Sequence, residues 1–120
     1  MSKYILILGG ADLDKRSREG ALGPVMLERY MTWMRELRES GRYVSSSKLH
    51  DQTGARLTIR GGEVVEGPFV ETKEAVGGIF TIEADSLAEA TAWARRCPVL
   101  GLQNGYVEVR LVEEVRPGGS

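Results

Sequence analysis

Two stretches of this chain carry the three-and-four residue spacing of an amphipathic helix, and short β-like runs bracket each of them. In the first, Met26, Leu27, Tyr30, Met31, Trp33, Met34 and Leu37 make one broad apolar stripe, while Glu28, Thr32, Arg35, Glu36 and Glu39 fall on the other side. Pro24 suits the first helical position, where a missing N–H costs nothing, and Gly41 offers a left-handed stop. The spacing therefore predicts a helix over residues 24–40. In the second, Ser86 and Glu89 fit a capping box, Leu87, Ala90, Trp93, Ala94 and Cys97 line one face, and Pro98 ends the helix.

The β-like runs fill the rest. Residues 3–8 read as a strand stopped by Gly9-Gly10, and residues 42–49 hold a short strand around Ser45-Ser46-Ser47. Residues 55–60 and 63–66 form a hairpin about Gly61-Gly62. Gly77-Gly78, which permits close backbone approach or a positive φ, leads into a strand over 79–83, and residues 106–112 make the last strand. Residues 11–23 and 67–75 are loops, the first long enough to suggest a functional role. The order β-α-β-β-β-α-β predicts an α+β fold: a ferredoxin-like sandwich with two helices on one face of an antiparallel sheet. A length of 120 residues suits one domain over 1–115, followed by a Gly-rich tail over 116–120.

Charge narrows the partners. Sixteen Lys and Arg against seventeen Asp and Glu leave a net charge of −1, which provides no long-range field for nucleic acid or an anionic membrane. The longest apolar run, residues 4–8, is far short of a membrane span or a secretory core. Cys97 is the one cysteine, so neither an internal disulfide nor a cysteine zinc cage can form. The expectation is a cytoplasmic protein with no nucleic-acid or membrane partner, and no motif asks for a metal or cofactor.

Alternation along the strands sorts residues onto two sides. One side collects Ile5, Ile7, Leu57, Ile59, Phe80, Ile82, Val107, Val109 and Leu111, and is expected under the helices. The other collects Tyr4, Leu6, Leu8, Arg56, Thr58, Arg60, Ile79, Thr81, Glu83, Tyr106, Glu108 and Arg110. This second side is too apolar for open water and too charged for a dry core. Two sheets facing each other across a partly wet space would satisfy both facts, so a homodimer forming a barrel is expected, against an open monomeric sheet as the alternative.

The least ordinary segment is Glu66-Gly67-Pro68-Phe69-Val70-Glu71-Thr72-Lys73-Glu74. It resembles the signature of the YCII-related proteins, in the branch named after an Asp-Gly-Pro-Phe motif, with Glu66 in place of the Asp. The opening strand, Gly77-Gly78, Asp85-Ser86-Leu87 with Glu89-Ala90, Ala94-Arg95-Arg96-Cys97-Pro98 and Val107-Glu108-Val109-Arg110 resemble that branch in order and spacing. The resemblance implies a ferredoxin-like dimeric α/β barrel. Some YCII relatives are thought to use a His on the first helix paired with an Asp, but no His falls between Pro24 and Ser40 here. Some members of the branch are encoded beside, or fused to, alternative sigma factors.

Several residues could carry chemistry. His50-Asp51 could serve as an oriented base, or Asp51 could simply accept a local backbone bond. Glu71 and Lys73 are candidates for catalysis or ligand binding, with Glu66, Gly67, Pro68, Phe69, Thr72 and Glu74 as binding residues of the same loop. The alternative is a bend set by Gly67-Pro68, a core plug at Phe69 and a lysine offsetting its acidic neighbours. Arg56, Arg60 and Arg110 could receive an anion, or pair with Glu83 and Glu108. Cys97, at a helix C-terminus, is disfavoured as a thiolate. Two functions compete: binding or turnover of a small polar molecule, anions included, beside residues 66–74, or a non-enzymatic regulatory role by protein contact, with Trp33 and Met26 as the docking patch.

Overall fold

The computed structural model describes residues 1–10, 24–49, 54–67, 76–102 and 104–115. Its elements are β1 (Ser2–Gly9), α1 (Pro24–Glu39), β2 (Tyr43–Lys48), β3 (Leu57–Arg60), β4 (Glu63–Glu66), β5 (Val76–Ala84), α2 (Leu87–Arg95), a 3-10 turn (Pro98–Gly101) and β6 (Tyr106–Leu111). The expected loops over 11–23 and 68–75, and the tail over 116–120, lie outside the described residues.

The helix ends follow from local chemistry. α1 starts on Pro24 and closes on Gly41, whose φ is 77°. There the Gly41 N–H donates to the Arg38 carbonyl at 3.1 Å and the Arg42 N–H to the Leu37 carbonyl at 3.2 Å, the paired bonds of a Schellman end. α2 starts at Ser86, whose hydroxyl accepts the Glu89 N–H at 3.1 Å. The Glu89 carboxylate goes instead to Arg42, at 2.9 Å, so the first helix's exit is tied to the second helix's entry.

Four strands pair antiparallel in the order β2-β5-β1-β6, an α+β arrangement consistent with a ferredoxin-like fold. The remaining two, β3 and β4, form a separate two-stranded sheet. Gly61 and Gly62, with φ of 58° and 82°, supply the two left-handed residues that a tight hairpin turn wants. Leu57, Ile59 and Val64 share one face of this hairpin and are all exposed, so the expectation that Leu57 and Ile59 lie under the helices is wrong. Their alternation is real, but the pair it builds stands apart from the main sheet.

The phase of β1 is also the reverse of that expected. Leu6 stands opposite Phe80 on β5 and Val109 on β6, and Tyr4 opposite Ile82. Tyr4, Leu6 and Leu8 are therefore buried beneath the helices, while Ile5 and Ile7 look out of the other face beside Thr81 and Ile79. The unbroken run Tyr4-Ile5-Leu6-Ile7-Leu8 contains no polar residue to set the phase, because a central strand presents apolar groups on both sides.

Trp33 knits the layers together. Its ring meets Phe80 edge to face at 5.0 Å, and its Nε1–H donates to the Trp93 carbonyl of α2 at 3.1 Å. At 3% exposure it is a core residue and not the surface docking patch the sequence suggested. Leu6, Leu37, Ile82 and Val99 are fully enclosed around it. Leu87, assigned to the buried face of α2, is 56% exposed.

Where the 3-10 turn meets β6, a Cβ on Gly105 would run into the Val99 carbonyl oxygen. Gly105→Ala is expected to lower stability by about 1–3 kcal/mol, because overpacking moves backbone here and no flexible side chain can yield. A urea titration of the variant against the parent measures this, and an unchanged midpoint would contradict the packing described.

Candidate functional site

A glycine opens a cavity on the helix-covered face. At one level of the sheet the residues facing the helices are Lys48 on β2, Gly78 on β5 and Leu8 on β1. One level down they are Ser46, Phe80 and Leu6. Gly78 therefore leaves the middle of the upper row without a side chain. α1 passes above, and its Leu27, Tyr30, Met31 and Met34 complete the walls of a cavity of about 310 Å3. Leu27 and Met31, one helical turn apart, are 53% and 58% exposed, as expected of apolar groups standing over a gap.

Neither Gly77 nor Gly78 has a positive φ, and a Cβ on Gly78 would make only an ordinary 3.5 Å contact with the Ser47 carbonyl oxygen. Gly78 is therefore not required by backbone strain, and what it contributes is space. Among the described residues, Lys48 is the only charged one lining the cavity, and it makes no ion pair with any of them. Ser46 is engaged with the Tyr43 hydroxyl at 2.7 Å. That hydrogen bond, with the Arg38 guanidinium 4.8 Å from the ring, lowers the Tyr43 pKa from its ordinary value.

A second, wider trough of about 690 Å3 runs between α1 and the end of α2. In its wall Arg96 pairs with Glu36 and also lies 4.8 Å from the Trp93 ring. Among the described residues no group of three His, Cys, Asp or Glu side chains comes together as a metal site.

The candidate residues named from the sequence are scattered. Glu66, Gly67 and Arg56 meet at the base of the hairpin, where the Gly67 N–H donates to the Arg56 carbonyl at 2.6 Å. Arg110 is on the open face of the main sheet, bonded to Glu108 two residues away at 3.2 Å, so the three arginines do not share one sheet face. His50, Pro68, Phe69, Glu71, Thr72, Lys73 and Glu74 lie outside the described residues. Sequence reasoning missed Lys48, Leu27 and Met31 as site residues. The signal for them was a glycine inside a strand pattern, facing a helix stripe wider than the core could cover.

Cys97 and Tyr30 pack together below this helix. Burial pushes the Cys97 thiol up to about 11, outweighing the Val99 backbone and the Tyr30 hydroxyl nearby, which favour the thiolate. Burial, with Cys97 alongside, raises the Tyr30 phenol too. Cys97 should therefore react slowly with a disulfide reagent at pH 8 in the native protein and at the full rate in urea. Because the folded value lies above the ordinary 9, the stability linked to this thiol is whole below about pH 9 and falls as pH rises through about 11. The loss is up to about 3 kcal/mol at ~1.4 kcal/mol per unit, and Cys97→Ala should flatten that decline in urea titrations across the alkaline range.

The chain is 38% identical over 86 residues to Uncharacterized protein R00369 of Rhizobium meliloti (strain 1021), a match spanning 64% of this chain and 69% of that protein. A family model for the YCII-related domain matches residues 17–116, which include both helices and every strand after β1. The chain belongs to the YCII-related domain family.

Proposed function

We propose that this protein is a small-molecule-binding member of its family, working as a homodimer with the Gly78 cavity as the ligand chamber in each subunit. The observation that carries the reading is the cavity itself: about 310 Å3, walled by side chains of three strands and one helix, with one unpaired cation at its rim among the described residues. That volume lies at the lower end of the roughly 300–1,000 Å3 range of small-molecule pockets. β2 ends at Lys48, and β5 begins at Val76, one residue before Gly77 in the wall. The described residues that precede His50 and those that follow Glu74 thus stand beside the chamber. A catalytic role for His50, Glu71 and Lys73 is part of this reading, on the chemistry of an imidazole, a carboxylate and an amine.

The dimer reading rests on the other face of the sheet. Ile5, Ile7 and Ile79 form an apolar centre there. Around them stand Lys3 opposite Glu83, and Glu108 beside Arg110. The charges on this face cancel, so two copies related by a two-fold axis can set each cation against an anion, as an isologous interface needs. One observation favours a second reading, a regulatory protein acting by contact: the exposed Leu57, Ile59 and Val64 of the hairpin form an apolar patch away from the main sheet.

Gly78→Val tests the chamber, because its methyl groups would occupy the gap at a backbone position that accepts an L-residue. A ligand-observed NMR screen of small neutral and charged organic compounds should give saturation-transfer signals with the parent and lose them with Gly78→Val. Equal signals from both proteins, or none from the parent, would overturn the chamber reading. Sedimentation equilibrium should give twice the 13.2 kDa chain mass, and Ile7→Lys should return it to one chain. A parent that sediments as a single chain at micromolar concentration would sink the dimer.

A further inference from the structure

We propose that the chamber takes a monocarboxylate with an unbranched or arylalkyl hydrocarbon body, which lies over Gly78 with its carboxylate on Lys48. This deepens the small-molecule reading and rests on it. The walls are almost wholly apolar: Leu8, Leu27, Met31, Met34, Phe80 and the Tyr30 ring. The hydroxyl of Ser46 is already taken up by Tyr43. A sugar or nucleotide, which needs many polar contacts, would leave its own groups unsatisfied against such walls.

The single charge among the described lining residues fixes the other end. Lys48 shares its row with Gly78 and Leu8, so its position on the edge strand places an ammonium at the rim with apolar floor beside it. Among the described residues Arg42, Arg96 and Arg110 face carboxylates, Glu89, Glu36 and Glu108 in turn, whereas Lys48 faces none. One cation suits one anionic group, which disfavours phosphates and dicarboxylates relative to a monoacid. Two methionines on the helix side give walls that adapt to bodies of different shape, which suits a class of acids over a single member.

Isothermal calorimetry with hexanoate, heptanoate, octanoate, octanol and octylamine tests this on the parent, Lys48→Gln, Lys48→Glu and Gly78→Val. The parent should bind octanoate more tightly than octanol or octylamine. Affinity should rise about fourfold for each methylene added from hexanoate to octanoate, as burial of hydrocarbon dictates. Lys48→Gln should weaken octanoate about fivefold, the effect of one rim-exposed ion pair, and bring it level with octanol. Lys48→Glu should reverse the order and favour octylamine. Equal affinity of the parent for octanoate and octanol, or octanoate binding unmoved by both Lys48 variants, would overturn the assignment of the acid while leaving the chamber standing. Octanoate binding to a folded Gly78→Val protein as tightly as to the parent, or no binding of any of these probes by the parent, would overturn the chamber and this proposal together. Circular dichroism confirms that each variant is folded.

Discussion

Everything in this molecule is arranged around a strand that is apolar on both faces. β1 lies between β5 and β6, and its Tyr4, Leu6 and Leu8 supply the floor on which the helices rest. Its Ile5 and Ile7 must then emerge on the opposite side, because alternation in a strand allows nothing else. Burying Leu6 completely and exposing Ile7 partly are two consequences of one register. The helix-covered face becomes the site of a core with one gap in it. The open face becomes a surface whose apolar centre sits badly in water.

How much of this was legible in the sequence depended on whether a residue's role was local. Pro24 and Gly41 fix the ends of α1 by backbone chemistry that involves their immediate neighbours alone, and both ends fall where the residues place them. Ser86 caps α2 by a bond three residues long, and Gly61-Gly62 turns the hairpin through its own φ angles. The phase of β1 was not legible, because five consecutive apolar residues carry no period-two signal and only the partners Phe80 and Val109 decide it. The departure of the hairpin was equally hidden. Leu57 and Ile59 alternate as sheet residues should, and nothing within the hairpin states whether another layer will cover them.

The candidate site divides along the same line. The segment around Glu66 was distinctive as a string of letters, yet what the described structure brings together at Glu66, Gly67 and Arg56 is a hairpin base. The cavity is assembled from residues far apart in sequence: Leu8, Leu27, Lys48 and Gly78 come from four different elements. Its key member is a residue with no side chain. Gly77-Gly78 did attract notice, with close backbone approach or an unusual φ as the expected reason. The absence of a positive φ and the ordinary room for a Cβ point to a different one.

A glycine in a strand interior forgoes packing and adds chain entropy to the unfolded state, at a cost of roughly 0.5–1 kcal/mol relative to alanine. A valine at the same place would add apolar burial worth ~1.5–3 kcal/mol and a better strand former. A Cβ at position 78 makes only an ordinary contact among the described residues, and the backbone there needs no positive φ. The same level of the structure keeps Leu27 and Met31 exposed above the gap and, beside it, a lysine with no ion pair among the described residues. Two departures from ordinary packing, the missing side chain at 78 and the exposed Leu27 and Met31, therefore converge on one space with Lys48 at its rim. When local choices depart from the stable solution together and at one location, the economical explanation is that the space itself is used.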